Sequence, residues 1–206
     1  MLQMKTASTR ALFAYWDEKR GERIAPARSD IDPCAIRQIL GDTFILACDR
    51  DNDHPFRLAG TEVCAIFGRE LRGEPFMNVF APADRADVRE LVGIVANETR
   101  GVIAGALART DDERSAELEL LLLPLLHHDQ MRLLGALAPI NAPFWLGRYP
   151  AASLSLGTRR HLEPGLNVPR LLRGSELETH GGMPGGASPS HQRPLRGLVL
   201  HRGGRP

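Results

Sequence analysis

Three apolar runs follow one another between residues 101 and 140, "GVIAGALAR" (101–109), "SAELELLLLPL" (115–125) and "MRLLGALAPI" (131–140), with short polar breaks between them. Breaks of that length hold a turn but no crossover helix, so the three runs pair as antiparallel strands. Two more strand-like runs, "TFILACD" (43–49) and "PFRLA" (55–59), flank the turn-forming "RDND" and make a hairpin. Between the two groups, "PADRADVRELVGIVANET" (82–99) places Val88, Leu91, Val92 and Val95 on one helical face, with Pro82 near its start and Asp84 in its first turn. Strands, then helices, then strands give an α+β class: an antiparallel sheet of about five strands with helices on one face. A Rossmann-type parallel sheet needs strand–helix alternation throughout, and that is absent.

The flanks read differently. Residues 6–22 carry Leu12, Tyr15 and Trp16 close together on a helix that should stop at Gly21, and "SDIDPCAIRQIL" reads as a second short helix with Asp32 as its N-cap and Pro33 at its first position. After about residue 156 come half of the 20 glycines and six prolines, too little apolar surface to offset the entropy of ordering. The expected division is therefore 1–40 as N-terminal flanking helices, 41–150 as the core, and 151–206 as a flexible Gly/Pro/Arg-rich tail. That tail holds eight arginines against three glutamates, whereas residues 1–150 hold 18 basic against 22 acidic residues. Three cysteines, Cys34, Cys48 and Cys64, do not make a disulfide framework and read as small buried hydrophobes in a reducing compartment. No secretory leader is recognisable, and the longest apolar stretch, Leu118–Leu126, is far short of a bilayer span. The expectation is a soluble, cytoplasmic chain with no membrane contact.

Chemical motifs are sparse. "DRDNDH" begins as a calcium loop does, but His54 and Gly60 stand where an EF-hand needs Gly and Glu. His127, His128 and Asp129 form a polar turn with no suitably spaced metal partner, and His54 also falls in a turn. Glu117 and Glu119 alternate with Leu118 and Leu120 and read as a solvated face. Neither a phosphate-binding glycine loop nor a nucleophile elbow occurs. The tail arginines lack interleaved aromatics, which counts against nucleic acid as a partner.

One segment identifies the arrangement. "FGRELRGEPF" (67–76) has glycines that end successive turns, Gly68 and Gly73, and lies within Gly60–Arg85. There Phe67-Gly68, Glu70-Leu71-x-Gly73, the apolar Phe76–Phe80 and Pro82-x-Asp84-Arg85 follow in order. This pattern resembles the middle of a PAS domain. Tyr15-Trp16, Pro26, Arg28–Pro33, "LLLPL" (121–125), "LGALAP" (134–139) and "FWLG" (144–147) are similar to the short PAS-like proteins of alphaproteobacteria, over about residues 10–150. The pattern of flavin-bonding light sensors is missing, since Cys64 stands in Val-Cys-Ala.

The resemblance implies a sensory or regulatory module that acts by protein–protein contact with an unidentified signalling partner. It implies a homodimer through the N-terminal helix, for which Leu12, Tyr15 and Trp16 are the candidate interface. It also implies room for a small apolar ligand between sheet and helices, lined by Phe56, Leu58, Phe67, Phe76, Leu107, Leu120 and Leu134; plain core packing is the competing reading of each. No catalytic residue, metal or cofactor is expected, because no nucleophile–base pair is in view. Two alternatives stand beside this one: a nucleic-acid-associated regulator using the basic tail, and a small-molecule enzyme on an α+β cone.

Overall fold

In the computed structural model, which describes residues 4–51, 53–128 and 130–162, the chain opens with helix α1 (Ala7–Arg20). Thr6 caps it by accepting a hydrogen bond from the Thr9 N–H, and Gly21 ends it at φ 57°, donating to the Asp17 carbonyl. The expected second helix does not form. Asp32 instead accepts from the Cys34 N–H in a local turn, and residues 28–42 run as a chain of turns across the sheet. The backbone there closes i→i+3 turns, the Ala35 N–H to the Asp32 carbonyl, Ile36 to Pro33 and Ile39 to Ile36, a tighter winding used in short pieces.

Strands β1 (Thr43–Ala47) and β2 (Phe56–Ala59) form the hairpin, with a bulge that leaves Arg57 as the extra residue between Phe56 and Leu58. Helix α2 (Thr61–Phe67) ends at Gly68 in the left-handed region, φ 65°. The following turn returns to the sheet: the Phe56 N–H donates to the Glu74 carbonyl and the Gly73 N–H to the Phe56 carbonyl. Segment 67–76 is thus a joint laid alongside β2. Helix α3 (Arg85–Glu98) follows a single tight turn at Pro82–Asp84 and buries Val88, Leu91, Val92 and Val95, the four positions expected.

Strands β3 (Gly101–Arg109), β4 (Ser115–His127), β5 (Gln130–Pro139) and β6 (Ser153–Leu162) complete a six-stranded antiparallel sheet in the order β2-β1-β5-β4-β3-β6. The sixth strand corrects the expected strand number and the start of the tail at residue 151. β6 pairs with β3 from Arg109↔Ser153 to Gly101↔Leu162. As an edge strand it buries only Leu154, Leu162 and the backbone of one side, so its sequence carries little apolar signal and hides behind Gly157 and Arg159–Arg160. The rest of the expected tail, 163–206, lies outside the described residues.

Both sheet faces are covered, which is why β4 reads as a near-continuous leucine run. The inner face, with Phe44, Leu46, Leu118, Leu120, Leu122, Leu133 and Leu137, packs on α2 and α3. The outer face, with Ile45, Leu121, Leu123, Leu125, Leu134 and Ala136, packs on α1 and the 28–42 turns. Pro124 fits within the sheet because β3 has no registered partner past Val102↔Leu122. There the edge of β4 meets the N-terminal segment instead, the Leu126 N–H donating to the Pro26 carbonyl.

The interface expected of α1 is used within the chain. Leu12 and Trp16 are buried on the outer face, and the Trp16 indole N–H donates to the Pro124 carbonyl at 2.7 Å. The Tyr15 hydroxyl accepts from the Asp32 N–H and donates to the Asp30 carbonyl. These side chains cover their own sheet, the competing use of an apolar helix face on a small domain.

Candidate functional site

The expected pocket divides between the two faces. Phe56, Phe67, Phe76 and Leu120 converge on the inner face and are buried. Leu134 belongs to the outer cluster, and Leu58 pairs across from Ile45 on that same face. Leu107 pairs with Glu117, out of phase with the inward Ala106 and Ala108. Strand periodicity decides this: odd positions of β3 and even positions of β5 face away from α2 and α3, whereas the bulge at Arg57 turns Leu58 outward.

The inner space is occupied by aromatic rings. Phe44, Phe56, Phe76 and Phe80 form a connected cluster with ring centroids 5.3–5.7 Å apart in stacked and edge-on pairs. Such pairs contribute about 0.5–1.5 kcal/mol each beyond the area they bury. Gly135 is what admits Phe44: a Cβ there would stand 2.2 Å from the ring. Sequence patterning points to Phe56 and Phe76 of this cluster but not to Phe44 and Phe80, nor to Phe44's ring lying on a glycine, a cross-strand relation visible only in the register Phe44↔Gly135.

Several polar residues depart from their sequence reading. Glu119 is buried, not solvated: its carboxylate accepts from the Lys5 and Thr6 N–H groups at 2.8–3.0 Å and from the Thr9 hydroxyl. It holds the positive end of α1 against β4. Glu117, one pair further out, is exposed. His54 is also buried, at φ 57°, and its Nδ1 has no hydrogen-bond partner among the described residues. Burial pushes the His54 imidazole below its usual range, opposed by a bond to the Ala47 backbone and by Asp53. The cysteines are free; Cys34 is exposed and Cys48 and Cys64 are half-buried. Burial pushes the Cys48 thiol up to about 11.

At one end of the outer face, positive charge collects. Partial burial, then Arg57 and Arg28, hold the Arg132 guanidinium below its usual range. His127 is likewise held down, by partial burial and then by Arg132, His128 and Arg28. The His127 and His128 rings touch, 4.2 Å between centroids. Among the described residues no group of three His, Cys, Asp or Glu side chains is placed to hold a metal ion.

A family model described as "PAS domain" matches residues 4–138, from before α1 to the end of β5. Among solved structures, the chain is similar to a light-oxygen-voltage domain studied with a flavin analogue, at 14% identity over 52% of this chain and 83% of that one, with a TM-score of 0.43. It is similar also to the PAS domain of an HTR-like protein from Haloarcula marismortui, at 18% identity over 52% and 90% of the two chains, TM-score 0.38. A third is the PAS domain of a protein from Colwellia psychrerythraea, at 15% identity over 52% and 97%, TM-score 0.37. No curated protein matches the chain.

Proposed function

The chain belongs to the PAS domain family, and on that premise we propose that it works as a cytoplasmic regulatory module that passes a signal by protein–protein contact. The family match across α1 to β5 carries this reading, because that family is one of sensory modules. Two features of the surface support it. Phe144 is 79% exposed and Tyr149 48% exposed in the segment between β5 and β6, with the Arg114 guanidinium 4.4 Å above the Tyr149 ring. Large aromatic side chains beside an arginine are the usual anchors of a protein contact. Among the described residues, no helix is long and apolar enough to cross a membrane.

The homodimer is retained as part of the proposal, with its interface moved off Leu12, Tyr15 and Trp16. Light scattering on the full chain reads the oligomeric state directly.

Photo-crosslinking from a benzoyl-phenylalanine placed at position 144, in the native host, tests the contact. The expected result is one recurrent protein adduct whose purified partner then forms a saturable complex with the chain. A chain that forms no binary complex, and instead turns over a small-molecule substrate when purified, would overturn the reading.

A further inference from the structure

The outer face has a hollow where the turns at 28–41 pass over the β1–β2 edge. Its volume is about 410 Å³, within the range of small-molecule sites. Ile31, Ile36, Ile45, Leu58 and Leu134 supply an apolar lining, and Arg28 and Arg37 stand at its wall. Leu58 is 37% exposed, a large aliphatic side chain left open at the edge of a sheet that buries most others. We propose that this hollow binds a small amphipathic carboxylate, with its apolar body on Ile36, Ile45, Leu58 and Leu134 and its acid group towards Arg28 and Arg132.

The charge arrangement specifies the sign of the ligand. Arg132 and Leu134 lie two residues apart on β5, so their side chains leave the same sheet face about 7 Å apart. Arg57, the bulge residue, adjoins Leu58, and Arg28 opens the connector that forms the hollow's far wall. Seven of the 18 described arginines have a carboxylate within ion-pair distance, and Arg28, Arg37, Arg57 and Arg132 are among the eleven that do not. Arg28 donates to the Ile31 carbonyl. Arg28 and Arg37 line the hollow and Arg57 and Arg132 adjoin it along their strands, and the repulsion of Arg132 by Arg57 and Arg28 is relieved by an anion that also covers Leu58. A carboxylate fits the planar donor fork of arginine better than a spherical ion does.

The chain's own C-terminal segment has the wrong charge for this place: residues 163–206 carry six arginines against three glutamates. Binding is independent of the regulatory reading, because it is measured on the isolated chain whatever the bound state signals to.

Calorimetric titration of the full chain with decanoate tests the assignment, with decyltrimethylammonium as the cationic control. Decanoate is expected to bind at one site per chain, with affinity that falls as salt is added, and the cation is expected not to bind. Arg132→Gln should weaken decanoate about tenfold, the worth of one charge-assisted bond, without moving the melting temperature. Leu58→Glu, which places a like charge at the mouth, should abolish binding. Arg132→Gln breaks no hydrogen bond seen among the described residues, so it reads the charge even where Leu58→Glu disturbs folding. Equal binding of anion and cation, an affinity unchanged in Arg132→Gln, or no saturable heat with decanoate would each overturn the proposal. So would binding confined to anionic vesicles or to an acidic peptide, which would make the face a docking surface for a larger partner.

Discussion

Glu119 and His54 bury polar atoms in opposite ways, and their consequences differ. Glu119 is ringed by donors, so removing its charge leaves the Lys5 and Thr6 N–H groups with a weaker acceptor at the start of α1. Glu119→Gln is expected to cost about 1–3 kcal/mol in urea unfolding; an unchanged midpoint would mean that α1 is anchored by Leu12 and Trp16 alone. His54 is buried with one nitrogen unpartnered, so its neutral form is the one the fold accepts. With the folded-state value lowered from 6.5, the unfolded chain takes up a proton first as pH falls. The stability that His54 contributes is complete above that pH and is lost as pH drops below it. His54→Asn, which tolerates the positive φ and does not titrate, should flatten the fall as pH drops below 6.5. Parallel curves for the two proteins would assign the fall to other groups. Among the cysteines, exposed Cys34 should alkylate first and Cys48 last, since its thiol is raised to about 11; timed mass spectrometry of iodoacetamide adducts orders them.

At the scale of elements, most of the fold is legible from residue patterns. The apolar periodicity of α3, the turn chemistry of the hairpin, and Gly68 at the end of α2 each state one local conformation, and tertiary contacts agree with them. Two elements are not legible, for separate reasons. The segment after Asp32 has a cap, a proline and Ile36, Ile39 and Leu40 at helical spacing, but it spans only about two turns, too short to offset the cost of an α-helical nucleus, so i→i+3 turns win. β6 sits at an edge and buries two leucines, so alternation extends only through Ser153–Leu156 before polar residues take over. Ending the chain at residue 152 should therefore cost at least about 3 kcal/mol by exposing the β3 edge and losing Leu154 and Leu162. Ending it at residue 162 should leave the melting temperature within a few degrees. The Phe44–Gly135 contact supplies a second element-level check. Gly135→Ala should destabilise by about 1–3 kcal/mol through overpacking, and adding Phe44→Leu should recover part of that loss, since the small side chain vacates the space the methyl needs.

For the whole molecule, the sheet separates two environments, and the candidate site depends on which one a residue enters. Phe56, Phe67, Phe76 and Leu120 lie between sheet and helices, where aromatic and leucine positions on the helix-facing phase go by periodicity. Leu58, Leu107 and Leu134 do not, because a single bulge or a phase count of one moves a side chain through the sheet. That same phase places Leu58 and Leu134 beside Arg132, a juxtaposition of distant segments that no local pattern contains. Phenylalanine rings close the inner space, and the proposed carboxylate site lies on the outer face. Methyl NMR of Ile-, Leu- and Val-labelled full chain, titrated with decanoate, separates the two faces. The methyls of Ile31, Ile36, Leu58 and Leu134 are expected to shift while those of Val63, Ile66, Leu118 and Leu120 stay in place; shifts confined to the second group would put the ligand between sheet and helices and refute the outer-face site.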